Sequence, residues 1–219
     1  MRLFNKRKRH YHIVKYKGVG NKVILHKEDG SIKINPRFLA DVRVKFEGNN
    51  STLDIYQPYN LPSSRIALRN NNHFVIKKIS GHGFNIIGGE DVELFIDEGT
   101  TLQNTKIFLN DEKGVSVKIG KDCMFSYDIM LWASDTHKII DSNDEVLNKS
   151  KFGIEIGDHV WCGTRCTILK DAKISNNSVI GAASVVTRRF EDENVIIAGN
   201  PARIIKENIS WKREGLDVV

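Results

Sequence analysis

Proline and cysteine are scarce in this 219-residue chain, at 4 and 3 copies, and long apolar runs are missing. A typical apolar stretch, Val195 to Gly199, falls far short of the roughly 18 residues that span a bilayer, which argues against a transmembrane helix. The start, MRLFNKRKRHYH, has a basic cluster with no signal-peptide-length apolar stretch behind it. We expect no secretory signal and a cytoplasmic location, with Lys6 to Arg9 either solvated or touching the inner membrane peripherally. The cysteines, Cys123, Cys162 and Cys166, are odd in number and form no C-x-x-C. A disulfide framework or zinc knuckle is therefore disfavoured, the three are expected to pack as small hydrophobes, and no metal is expected. Acidic residues are outnumbered 27 to 33, a net charge of +6 that favours an anionic partner: a phosphate-rich cofactor, an acidic glycan, nucleic acid or a lipid surface. Charge alone does not choose among them.

What is present is a repeat. From Ile156 the chain divides into IGDHVW, CGTRCT, ILKDAK, ISNNSV, IGAASV and VTRRFE, so that Ile156, Cys162, Ile168, Ile174, Ile180 and Val186 recur every six positions. The fifth positions, Val160, Cys166, Ala172, Ser178, Ser184 and Phe190, are mostly small. A helix would scatter such positions around its circumference, and a flat strand would not supply turn residues every six. A short strand and a bend every six residues close a triangular coil after three blocks, and stacked coils pair as parallel strands with the aliphatic residue inside. Gly157, Asp158, Gly163, Asn176, Asn177 and Gly181 are read as bend residues. The register recurs from Ile119 and, more faintly, from Ile96. Residues 1–90 are expected to be an irregular or short-strand cap, 91–200 the coil with a loop extruded over 137–153, and 201–219 a helical tail in which Trp211 seals the prism end.

The segments SDTH at 134–137, IGDHVWCGTRCTIL at 156–169, IGAASVVT at 180–187 and AGNPARIIK at 198–206 together resemble the hexapeptide-repeat acyltransferases. The similarity is to the branch acting on galactosides, maltose and capsular polysaccharide. WASDTHKIID and ENISWKRE are most similar to enzymes that O-acetylate capsule, O-antigen or polysialic acid. The resemblance implies an all-β, left-handed parallel β-helix, acetyl-CoA as co-substrate, a carbohydrate acceptor, no nucleic-acid partner, and a homotrimer with active sites between subunits.

The ladder breaks after the Leu131 block for HKIIDSNDEVLNKSKFG, too charged to line a prism interior and therefore expected to loop outward. In the family such a loop begins at the catalytic histidine, which here is His137. Moving an acetyl group from a thioester to a hydroxyl needs a base, and neutral histidine serves at physiological pH, contributing about 10²- to 10⁴-fold. Asp135, Asp141 or a backbone carbonyl would orient its ring. Trp161 matches the family's active-site tryptophan, with its indole N–H as a donor. Trp132 and Asp135 are candidate acceptor contacts, and His159 is read as solvated. By the same resemblance the Gly163–Thr164 bend supplies oxyanion donors. Thr164, Ala182 and Thr187 line the pantetheine groove. Arg203 and Lys206 approach the nucleotide phosphates, with Arg188 and Arg189 close in sequence.

Two other kinds of enzyme and one non-enzyme use the same scaffold. An N-acetyltransferase of a nucleotide-linked amino sugar, or of another small molecule, would keep the coil and change the acceptor. A zinc hydratase needs an H-x-x-x-x-H pair that this chain lacks. A non-catalytic rod would have no use for His137 and Trp161 together.

Overall fold

A computed structural model describes residues 9–215 as a stack of triangular coils. Ile156, Cys162, Ile168, Ile174, Ile180 and Val186 are all buried, and so are the six fifth-position residues from Val160 to Phe190. Trp161 pairs in parallel with Val179 and Cys162 with Ile180, so one coil is 18 residues and like positions lie directly above one another. The result is the left-handed parallel β-helix, all-β throughout.

Three sheets form its faces. The first holds Ser80–His82, Thr101–Gln103, Met124–Tyr127, Trp161–Cys162, Val179–Ile180 and Ile196–Gly199, closed by an antiparallel strand, Ala202–Lys206. The second runs from Lys15–Tyr16 through Val42–Phe46, Ser64–Leu68, Asn85–Gly88, Lys106–Leu109, Met130–Trp132 and Thr167–Leu169 to Val185–Val186. The third begins with the hairpin of Ile32–Ile34 on Lys22–His26 and ends at Arg189–Phe190. One buried core extends from Val14 to Ala202.

The corners show how a six-residue block turns. His159, Arg165, Asp171, Asn177 and Ala183, six apart, all have positive φ, between 54° and 62°. Such backbone costs a non-glycine residue about 1–2 kcal/mol, which the neighbouring coils offset. Of the residues expected at bends, only Asn177 carries that conformation. The glycines answer a different need: a Cβ on Gly157 would lie 2.9 Å from the Asn176 nitrogen, and one on Gly163 2.8 Å from the Ala182 nitrogen. They permit close stacking of corners rather than an unusual φ.

Two boundaries differ from expectation. The prism does not start near residue 91, because parallel coils already stack from Lys15–Tyr16, which pairs with Lys45 and Phe46. After a first coil of 30 residues, Lys15 to Lys45, the next repeat at 20 to 22, as the pairings of Val42 with Ser64, Arg65 with Asn85 and Asn85 with Lys106 show, so no six-residue register survives. The cap is confined to the Ile32–Ile34 hairpin and the antiparallel pair Tyr11–Ile13 with Phe38–Ala40. At the other end no helix forms among the described residues. Ala202–Lys206 instead pairs back on Ile196–Gly199, satisfying the last strand's edge, and Ile209 to Arg213 runs on as an extended strap.

If left-handed backbone at the corners is the local cost of the fold, Asn177→Val will lower unfolding free energy by about 1–2 kcal/mol relative to Asn177→Gly in chemical denaturation. Equal stability of the two variants would contradict it.

Candidate active site

The interruption in the ladder becomes a closed loop at one corner. The chain leaves the second face after Met130–Trp132 and re-enters the third at Ile154–Ile156. Its return is pinned by Asp171, whose Oδ1 accepts N–H bonds from Lys151 and Phe152, both 2.7 Å, and the Ser150 hydroxyl at 2.9 Å. Burial opposes the Asp171 charge, yet these donors outweigh it and hold the carboxyl below its ordinary pKa. Inside the loop, Asn148 Nδ2 donates to the His137 carbonyl and to Asp135 Oδ2, both at 2.8 Å. Lys170 Nζ reaches the same Asp135 oxygen at 2.7 Å. Against its partial burial, Asp135 is likewise kept below the usual carboxylate range by Lys170 and Asn148.

His137 stands exposed at this corner, its backbone fixed and its ring facing solvent. Neither expected carboxylate orients it: Asp135 is committed to Lys170 and Asn148, and Asp141 caps the loop's own turn through the Asn143 and Glu145 N–H groups. Trp132 stacks on Phe108, centroids 4.2 Å apart, on the outer surface of the second face beside the loop. Thr187 is exposed at the same corner, one coil beyond Leu169.

The remaining candidates gather elsewhere. Trp161 opens the next first-face strand, separated from His137 by the whole third face, roughly 20 Å of extended chain. Its indole N–H donates to Ser126 Oγ at 3.3 Å. Gly163, Thr164 and Ala182 stack in consecutive coils at the corner between first and second faces, with Ala183 N–H bonded to the Thr164 carbonyl at 2.9 Å. The Gly163 N–H is used by the Ile180 carbonyl at 2.8 Å, which removes it as an oxyanion donor and leaves the Thr164 N–H. Arg203 lies opposite Ala198 and Lys206 opposite Ile196, both exposed at the end of the first face. Arg189 is tied to Glu155 at 2.8 Å and Glu191 at 3.4 Å, and Arg188 lies over the Phe190 ring, so neither joins them.

Sequence reasoning misplaced His159. Its Nδ1 is 2.8 Å from Asp122 Oδ2, its Nε2 3.1 Å from the Trp211 carbonyl, and its ring stacks on Trp211 at 4.0 Å. The Trp211 indole N–H returns a bond to the His159 carbonyl at 2.9 Å, and its ring sits 6.1 Å from Trp161. Arg213 then locks the strap through Asp122, Thr101 and the Gly99 and Cys123 carbonyls. The strap thus backs the wall that carries Trp161. No repeat-based signal could find it, since the side-chain bonds of Trp211 and Arg213 span 52 to 114 residues.

No family model matches the chain. It is 38% identical over 170 residues to a polysialic acid O-acetyltransferase of Neisseria meningitidis, covering 76% of this chain and 78% of that protein. The chain belongs to the hexapeptide-repeat O-acetyltransferases. The crystal structure of the polysialic acid O-acetyltransferase OatWY superposes with a TM-score of 0.80 at 29% identity, covering 95% of both chains. A galactoside O-acetyltransferase of Escherichia coli K12 is 35% identical over 94 residues, 42% of this chain and 44% of that protein. This O-acetyltransferase family member is an acyltransferase. Among its described residues no three His, Cys, Asp or Glu side chains are grouped to hold a metal ion, and no helix is long and apolar enough to cross a membrane.

The strap has a pH signature. Burial raises the Asp122 pKa, but hydrogen bonds from His159 and Arg213 prevail and lower it from the ordinary 3.8. A lowered carboxyl pKa adds stability that is fully present above 3.8 and is lost as pH falls below it. Protection of the Trp211 indole N–H in hydrogen exchange will therefore hold from pH 7 to 5 and drop below about 3.8. Asp122→Asn will show the loosened strap already at pH 7; full protection in that variant would refute the account.

Proposed function

We propose that this enzyme transfers acetyl from acetyl-CoA to a hydroxyl of a sugar in a bacterial surface glycan, with His137 as general base. The observation that carries the reading is the division of the candidate residues between two corners, one presenting His137 and the other Trp161 with an open, small-residue groove at Gly163, Thr164 and Ala182. Neither corner is complete alone. Packing of parallel prisms as a homotrimer, with the His137 corner of one subunit against the Trp161 corner of the next, assembles the full set. Ile139, Ile140, Leu147 and Phe152, exposed on the loop, supply apolar surface for that packing.

The chemistry follows from the residues. The acceptor hydroxyl gives its proton to the neutral His137 ring as its oxygen attacks the thioester carbonyl. The oxyanion that forms is met by the Thr164 N–H. Collapse breaks the C–S bond, the coenzyme A sulfur leaves, and the imidazolium returns the proton to it. Trp161, held by Ser126 on one side and backed by Trp211 on the other, walls the acetyl group against water. Thr164 and Ala182 leave room for the extended pantetheine arm, with Thr187 at the far end of the adjoining strand. Arg203 and Lys206 meet its phosphates. Trp132 and Asp135 face the sugar. The acceptors named for the relatives, polysialic acid and galactosides, support a carbohydrate hydroxyl over an amino group.

His137→Ala will lower kcat by at least a thousandfold while leaving coenzyme A binding and assembly unchanged; normal turnover would end the assignment. Arg203→Ala will raise the KM for acetyl-CoA, and an effect confined to the sugar would contradict the cofactor placement. Because the half-sites meet between subunits, coexpression of His137→Ala with Trp161→Ala chains will restore activity that neither homotrimer has. Hybrids as inactive as both parents would place the two residues in one subunit's site.

A further inference from the structure

A second concave surface lies on the second face, at the opposite end of the prism from the strap. A cavity of about 840 Å³ opens between the outer surface of that face and the Tyr11–Ile13 strand. Lys15, Arg43, Lys45, Arg65 and Arg69 line it, against a single acidic residue, Glu47, which pairs with Lys45 at 2.5 Å. Among the described residues Arg43, Arg65 and Arg69 form no ion pair. Arg43 and Arg65 are direct partners in adjacent parallel strands, a like-charge juxtaposition that opposes folding unless an anion sits between them. In the same cavity the buried Asn85 Oδ1 has no hydrogen-bond partner.

The register connects this groove to the catalytic loop. Arg65 pairs with Asn85, Asn85 with Lys106 and Lys106 with Met130, so one outward column climbs four rungs from Arg43, roughly 19 Å. Beside it Lys45, Ala67, Ile87, Phe108 and Trp132 form a second column, cationic at its foot and aromatic at its head. Trp132 is the last strand residue before the loop that carries His137.

We propose that the groove binds an anionic polysaccharide, holding carboxylate- or phosphate-bearing units of the acceptor chain while a unit further along lies over Trp132 at His137. The proposal rests on the glycan acetyl-transfer reading and deepens it: the acceptor is a charged polymer rather than a free sugar. Guanidinium groups engage carboxylate or phosphate in bidentate fashion, and the aromatic head of the track offers flat apolar faces to sugar rings. The Tyr11–Ile13 strand walls one side, which gives a flexible chain a bounded track along the second face.

Acetyl transfer is measured with polysialic acid of graded length, a phosphodiester-linked glycan and a neutral polysaccharide, for wild type and for the triple variant Arg43→Ala, Arg65→Ala, Arg69→Ala. The wild type is expected to favour long anionic chains, with the polymer that is acetylated identifying carboxylate or phosphate as the partner. The triple variant is expected to raise KM for that polymer at least tenfold, with kcat at saturation within twofold, and to lose the length preference. The corresponding triple Lys variant retains most of the affinity, which separates charge from folding, and high salt erases the difference between enzymes. Unchanged KM in the Ala variant, or preference for the neutral polymer, overturns the proposal. Should wild type acetylate no carbohydrate, the activity reading fails first. Labelled-polymer binding to the His137→Ala trimer still decides the groove: Arg-dependent binding upholds it, while displacement by duplex DNA or anionic vesicles but not by glycan overturns it.

Discussion

Each coil of this molecule is held by the coil above and below it, in register. A two-residue strand such as Val179–Ile180 has no internal hydrogen bonds, and its N–H and C=O groups are satisfied only by the strands on either side. The inward side chains obey the same rule, since Ile174 or Ile180 alone buries nothing and a column of them makes the core. Strict vertical register is therefore the constraint from which the left-handed corners, the close-packed glycines and the fixed spacing of the His137 and Trp161 corners all follow.

That constraint explains what could be read in the chain. From Ile119 onward coils of three equal blocks leave a visible period, and the buried columns match it residue for residue. Upstream the same architecture hides because the strands lengthen to four or five residues. Val42–Phe46 and Ser64–Leu68 alternate buried and exposed like any half-covered strand, and their corners vary in length. The helical spacing of IIKENISWKREG yielded to a tertiary demand, for the exposed edge of Ile196–Gly199 gains more from a paired strand than from a helix beside it. The loop that carries His137 was legible because a break in a repeat is a local event. His159 was not, because its outward position becomes half-buried only when residues 52 positions away return to cover it.

In the proposed reaction the two corners divide the work of acyl transfer. The His137 corner is a polar construction of Asp135, Asn148, Lys170 and Asp171 that fixes a loop's backbone and leaves one imidazole free. The Trp161 corner is narrow and aromatic, with small residues where an extended cofactor arm would lie. Rigid stacking fixes each corner with the precision of the whole prism, so the loop between Trp132 and Ile154 can differ in sequence without disturbing the coil that bears it.

The strap gives this arrangement a direction in time. Coil-to-coil contacts link residues some 20 positions apart and form as the chain emerges, but Arg213 reaches back to Gly99, 114 residues upstream, and Trp211 to His159. The aromatic wall behind Trp161 is thus completed only after Trp211 and Arg213 have followed the coils they pack against. A nascent prism therefore displays its stacked coils before the wall behind Trp161 is in place, and the order of the chain is also an order of construction.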